Sequence, residues 1–147
     1  GYSSHDVANE EAPPAMFPAA LETLNELRGR GFELAVATGK SRRGLDRVLR
    51  VMGMEDMFDA TRCADETTSK PDPLMLNELL LERSISPERA VMIGDTEYDL
   101  EMAVNAGISS VGVSFGVHSI ERLAVHKPVA IVDSLPRLLE LPELAGR

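Results

Sequence analysis

Two aspartates four residues apart, Asp95 and Asp99, stand in "VMIGDTEYDLEMAVNAG", residues 91–107. They fall where a short apolar run ends and a helical pattern begins. Carboxylates at such a corner suit a hard cation such as Mg²⁺. That ion takes oxygen ligands, keeps several waters and uses one or two carboxylates plus a substrate phosphate. A helix start also favours negative charge near its free N–H groups. A second reading needs no metal: Asp95 caps the helix and Asp99 is a solvated first-turn acid. Gly94, just before the pair, leaves room for a tight turn and for a ligand near the backbone.

Two further groups stand where apolar runs end or helices begin. Thr38 and Gly39 close "LAVATG" and offer a hydroxyl and a backbone N–H, a pair that can hold a phosphate oxygen or simply form a strand-to-helix turn. The "TGKS" that they open is not a phosphate-binding P-loop, because Leu34 occupies the position of that motif's first glycine. Lys70 lies in "SKPDP", a loop stiffened by two prolines. Held there, it can neutralise a phosphate or a carboxylate as a point charge, or stand as ordinary solvated surface.

The elements that must position these groups alternate along the chain. Helical spacing marks "AALETLNELRGRG", "RGLDRVLRVMGM" with Leu45, Val48, Leu49 and Met52 on one face, "DPLMLNELLLERS", and "EYDLEMAVNAG" closed by Gly107. Short apolar runs mark strands in "ELAVAT", "FDATRCAD", "RAVMIG", "SSVGVS" and "PVAIVD", and "SLPRLLELPEL" reads as a closing short helix. Strands alternating with helices imply an α/β fold, a Rossmann-like, doubly wound parallel sheet. Ligands bind such sheets beyond the carboxyl ends of the strands, which is where Thr38, Gly39 and Asp95 fall.

The order Thr38, Lys70, Asp95 with Asp99 is more specific than any one of its parts. The chain resembles the haloacid dehalogenase-like hydrolase superfamily, in its phosphoglycolate phosphatase-like branch. "LAVATGK" is similar to the second motif of that family, "SKPDP" to the third and "MIGDTEYDLEMAVNAG" to the fourth. "VGVSFGVHSIERL" and "PVAIVDSLPRLLEL" resemble the branch's usual tail, so the likeness runs from about Phe17 to the C-terminus. It implies a Mg²⁺-dependent hydrolase of small phosphate monoesters, working through an aspartyl-phosphate. Thr38 would hold a phosphate oxygen, with Gly39 beside it. Lys70 would hold the nucleophile and the phosphate charge together. Asp95 would bind Mg²⁺, and Asp99 would act as a ligand or behind one.

The family's first motif, a strand followed by D-x-D-x-[TV], has no match. The only aspartate before Thr38 is Asp6 in "SSHDVAN", with no apolar strand before it and Ala8 where the second acid belongs. Residues 1–14 read as a linker or the trailing edge of a cap domain, and residues 15–147 as a partial core domain. In the family's sheet the first strand lies between those ending in Thr38 and Asp95. Its absence predicts two strands short of a neighbour, and a chain that does not turn over alone. The gap implies either association with a missing N-terminal segment or a dimer. Three alternatives stand beside the phosphatase: a non-catalytic phosphate- or metal-binding or assembly module, a relative acting on a non-phosphate substrate, and a phosphoacceptor receiver domain. The last is disfavoured by the residue order and by the lack of an acidic pair after a first strand.

Composition narrows the partners. The formal charge of the 147 residues is −9, which argues against general affinity for nucleic acid or an anionic membrane but not against a small anionic substrate in a local pocket. No apolar run approaches the roughly 18 residues of a membrane span. The one cysteine, Cys63, reads as core filler, excludes an intrachain disulfide and suits a reducing cytoplasm. His5, His118 and His126 lack metal-ligand spacing and read as surface or loop. Lys40, Arg42 and Arg43 cluster at a helix start, where positive charge is unfavourable, and hint at an anionic partner or a solvated helix end.

Overall fold

The computed structural model describes residues 16–68, 70–114 and 118–146. Among these residues five strands alternate with helices. Helix α1 (Met16–Gly29) leads to β1 (Ala35–Thr38), α2 (Arg42–Met52), β2 (Ala60–Cys63), α3 (Leu74–Arg83), β3 (Val91–Gly94) and α4 (Glu97–Ala106). Strand β4 (Ser109–Val113), the short α5 (Ile120–Ala124) and β5 (Ala130–Val132) follow. All pairings between strands are parallel. The short apolar strands therefore read as runs rather than alternations, because helices cover both faces of a parallel sheet.

Helix ends follow local chemistry. Ser41 caps α2 by accepting from the Gly44 amide, and Gly53 closes it at φ +69°. The C-terminal segment departs from the single helix expected there. It forms two 3₁₀ turns, Leu135–Glu140 and Pro142–Leu144, because Leu141 is extended and Pro142 cannot continue the first. The sequence reading also omitted α5, which Ser119 caps by accepting from the Arg122 amide.

Among the described residues the strands fall into two sheets. Strands β1 and β2 pair with each other, and β3, β4 and β5 form a separate sheet in that order. Among the described residues no strand lies between β1 and β3, as the missing first motif predicts. What joins the sheets is packing from both faces. On one side Met75, Leu76 and Leu79 of α3 bury against Ala37 and Ala60 of the first sheet and Met92 of the second. On the other, α1 sends Ala20 into the cluster with Val36 and Leu45, and Leu27 into that of Val111, Val113 and Val132. Each large buried side chain contributes about 1.5–3 kcal/mol, so the helices can hold the sheets together without a shared ladder. Between them a cavity of about 580 Å³ remains, lined by Ala35 and Ala37 of β1, Val91 and Ile93 of β3, Leu27 and Leu79.

Candidate functional site

The corner after β3 is built by close packing. Helix α4 begins at Glu97, and its N-cap is Thr96, not Asp95. The Thr96 hydroxyl accepts from the Asp99 amide at 3.2 Å, and the Asp99 carboxylate accepts from the Thr96 amide at 3.3 Å and the Thr96 hydroxyl at 2.9 Å. This reciprocal capping box explains why an acid stands at the third helical position. Asp99 is 0% exposed, so it is not the solvated first-turn acid of the metal-free reading. Its other oxygen accepts from Lys70, whose side chain is only 8% exposed. Gly94 is needed for the same packing. A Cβ there would overlap the Asp99 Cβ and lie 2.9 Å from its Cγ and Oδ2. The space that glycine leaves is filled by Asp99 itself.

With capping left to Thr96 and Asp99, Asp95 is released from the role that competed with ligand binding. It sits fully buried (0% exposed) at the carboxyl end of β3, beside the Lys70–Asp99 pair. The Lys70 loop is held by the Asn105 side-chain amide of α4, which donates to the Pro71 carbonyl at 3.1 Å. Asp72 caps the start of α3 from the same loop, accepting from the Leu74 amide at 2.9 Å. The Lys70–Pro71 peptide bond is cis.

Thr38 ends β1, the corresponding strand of the other sheet, and is 0% exposed. Its hydroxyl accepts from the Lys40 amide at 3.1 Å, which shapes the turn and leaves the O–H proton to donate. Gly39 follows on the exposed side of that turn. The structure thus joins Lys70 to Asp99 by direct contact, sets Asp95 at the same corner, and places Thr38 and Gly39 at the end of the neighbouring sheet.

Of the basic cluster, Arg42 is answered within the chain. Asp65 accepts from the Arg42 amide at 3.1 Å, and Glu66 accepts from Arg42 Nε and Nη2 at 3.0 and 2.9 Å. Thr61 Oγ1 accepts from Arg42 Nη1 at 2.7 Å. The Glu66 contact raises the guanidinium pKa further, and Arg42 in turn lowers that of Glu66. Asp65 and Glu66, without a role in the sequence reading, thus hold the backbone and the guanidinium of Arg42. Cys63 is fully buried, and desolvation pushes its thiol up to about 11, which removes it as a nucleophile at neutral pH.

His118, read as surface or loop, lies in the loop after β4, but its side chain is only 10% exposed. Its Nδ1 accepts from the Glu97 amide, the first of α4, at 2.9 Å, and its ring meets Tyr98 edge-on at 5.5 Å. No motif spacing marks it, because the contact joins the loop after β4 to a helix start 21 residues earlier. His5 lies outside the described residues.

The donor chemistry fits a hard cation in part. Asp95 offers a buried carboxylate, and one or two such groups suffice for Mg²⁺ when substrate and water complete the shell. Among the described residues no group of three His, Cys, Asp or Glu is placed to hold a metal, so a full protein cage is absent there. No helix among them is long and apolar enough to cross a membrane.

Comparisons with known proteins bear on the family and the fold. The chain is 35% identical over 127 residues to a phosphoglycolate phosphatase of Vibrio vulnificus, covering 86% of this chain and 56% of that protein. It is 25% identical over 147 residues to the pyrophosphatase PpaX of Halalkalibacterium halodurans, covering 99% of this chain and 68% of that one. The chain thus spans a little over half the length of the first relative. A HAD-superfamily hydrolase, subfamily IA, variant 1, from Geobacter sulfurreducens superposes with a TM-score of 0.68 at 26% identity, covering 82% of this chain and 57% of that one. A haloacid dehalogenase-like family hydrolase of Streptococcus pneumoniae, at 22% identity and a TM-score of 0.75, shares the fold. The family model described as haloacid dehalogenase-like hydrolase matches residues 3–113. With the buried Lys70–Asp99 pair beside Asp95, the parallel α/β architecture and this match over most of its length, the chain belongs to the haloacid dehalogenase-like hydrolase family.

Proposed function

We propose that the protein of which this chain forms the core hydrolyses small phosphate monoesters with Mg²⁺, and that the chain carries half of the site. The observation that carries the reading is the buried Lys70–Asp99 ion pair beside the fully buried Asp95 at the end of a parallel strand. Buried, paired charges in such a place point to chemistry rather than to stability, because burying them is costly. The names of the relatives support phosphoglycolate and pyrophosphate as the first substrates to try.

Each residue has a distinct part. Asp95 would hold the metal directly. Asp99 acts behind it, because its two oxygens already serve the capping box and Lys70. Lys70 is fixed by Asp99 and by its loop, so its ammonium is held ready for the charge of a phosphoryl group and an attacking carboxylate. Thr38 donates its O–H, and Gly39 its backbone N–H, to phosphoryl oxygens. Mg²⁺, when bound, supplies neutralisation of the phosphoryl charge. The attacking aspartate comes from outside residues 16–146. Its carboxylate oxygen bonds to phosphorus as the ester oxygen leaves and takes a proton, and water then cleaves the aspartyl-phosphate to free phosphate.

The test is turnover of p-nitrophenyl phosphate and phosphoglycolate by the full-length protein with Mg²⁺. Asp95→Asn is expected to abolish it, and undiminished turnover in that variant would remove Asp95 from the metal. The purified 147-residue chain is expected to be inactive. Hydrolysis by it would place the nucleophile inside these residues and overturn the division proposed.

A further inference from the structure

His118 is a nearly buried imidazole that the proposed reaction does not use, and the amide it accepts from lies two residues beyond Asp95. The first N–H groups of an α-helix have no acceptor within the helix. At the start of α4 side chains supply acceptors. Thr96 Oγ1 accepts from the Asp99 amide, the Asp99 carboxylate from the Thr96 amide, and His118 Nδ1 from the Glu97 amide at 2.9 Å. The next two peptide groups along the chain from Asp95 are thus both held by their N–H. On the other side of Asp95, Gly94 is fixed opposite Gly112 in the β3–β4 pairing. The acceptor for Glu97 is itself well anchored. The His118 ring meets Tyr98 edge-on, Ser119 caps α5, and Arg122 of α5 pairs with the Glu97 carboxylate. That ion pair lies at the surface, with Arg122 half exposed, and such pairs contribute little. The bond to the backbone is the contact that bears on Asp95.

We infer that His118 is a positioning residue for the metal-binding carboxylate: by accepting from the Glu97 amide it fixes the backbone on which Asp95 stands. The inference rests on the reading of Asp95 as the residue that holds Mg²⁺. That ion demands near-ideal octahedral geometry, so a ligand carboxylate that drifts with its backbone binds it less well. Groups that orient a ligand without touching the metal carry a large share of its affinity. Asp99 acts on this corner from the helix side, through the Thr96 amide, and His118 acts on the next amide from a different element. The part of the ring that matters is Nδ1. As an acceptor it carries no proton, and the ring hydrogen stands on Nε2. This separates His118 from a general filler of the corner. An asparagine places its side-chain oxygen where Nδ1 stands and can accept the same bond. A glutamine carries its oxygen one carbon further out and cannot do so from the same place.

The test compares His118→Ala, His118→Asn and His118→Gln in the full-length protein, with Arg122→Ala as the control for the neighbouring ion pair. Two quantities are read: the Mg²⁺ affinity, by calorimetry and by half-activation of p-nitrophenyl phosphate turnover, and the exchange rate of the Glu97 amide, by NMR without metal. His118→Ala is expected to weaken Mg²⁺ about tenfold or more, while kcat at saturating Mg²⁺ changes far less. Its Glu97 amide should exchange about tenfold faster. His118→Asn should stay near wild type in both readings, His118→Gln should follow alanine, and Arg122→Ala should leave Mg²⁺ affinity unchanged. A residue that only stabilised the fold would lower the denaturation midpoint and leave the Mg²⁺ affinity of the folded protein where it was. Unchanged Mg²⁺ affinity in His118→Ala, or unchanged Glu97 exchange, would overturn the inference. So would equal behaviour of the asparagine and glutamine variants, a comparison that decides the matter if the alanine variant does not fold. A wild type that binds Mg²⁺ but turns over no phosphate ester would remove the phosphatase reading and leave the two binding readouts to judge His118. A wild type that binds no Mg²⁺ would remove both.

Discussion

Gly94 and Asp99 show how one residue's absence of a side chain fixes another's position. The Gly94→Ala methyl group would overlap Asp99, which cannot retreat without breaking its capping box and its pair with Lys70. The expected cost is that of overpacking, about 1–3 kcal/mol, seen as a lower denaturation midpoint in urea. Lys70→Ala tests the same corner from the other side. It leaves a 0%-exposed carboxylate without its cation, and the expected loss is about 3–5 kcal/mol. Retained stability in Lys70→Ala would mean that Asp99 is held by its cap alone. The acids and the threonine were legible because the strands and helix that carry or flank them have clear patterns, and the lysine because two prolines mark its loop. The division of labour between Asp95 and Asp99 was not. Spacing shows two acids in a first turn, whereas which one caps depends on a single threonine between them. His118 was invisible for a related reason: an acceptor reaching a helix start from a distant loop leaves no periodic trace.

At the level of elements, the start of α2 is held by acids that follow β2. Arg42 gives its amide to Asp65 and its guanidinium to Glu66 and Thr61, which ties helix to strand across the sheet's carboxyl end. The sequence offered only a basic cluster at a helix start, and its partners lie about 19 to 24 residues on, within and just past the run read as the second strand. The Glu66 pKa is lowered, chiefly by its hydrogen bond with Arg42. A lowered folded pKa means that the stability it contributes is fully present above the unfolded value of about 4.3. That stability is lost as the pH falls through the lower folded value. The wild-type chain should therefore lose stability more steeply than Glu66→Gln on acidification below about pH 4.3. Equilibrium denaturation across that window measures it, and parallel curves would show that the pair contributes nothing. The effect is expected to be small, because the Glu66 side chain is 37% exposed and screened by solvent.

Across the whole molecule, the sequence predicted a sheet with a gap, and the structure divides that sheet in two along it. What could not be read beforehand is how the parts stay together, since long-range packing is not written in local periods. Helices α1 and α3 do this from opposite faces, and the C-terminal turns reinforce α1. Arg30, just past the end of α1, donates from Nη1 to the Leu139 carbonyl at 3.0 Å and the Leu144 carbonyl at 2.8 Å. Those contacts span more than 100 residues and pin the turns that cover Leu27 and Val132. Its salt bridge with Glu26 lies on the exposed side and adds little. Removing the guanidinium leaves two carbonyls at the edge of a core cluster without their charged donor, at a cost of about 1.5–3 kcal/mol. Arg30→Ala should therefore unfold at lower denaturant than wild type, while Glu26→Ala should not. If the turns anchor the second sheet to α1, Arg30→Ala should also speed hydrogen exchange in β5 more than in β2, which lies in the other sheet. Equal acceleration in both strands would assign Arg30 to global stability rather than to the join between the sheets.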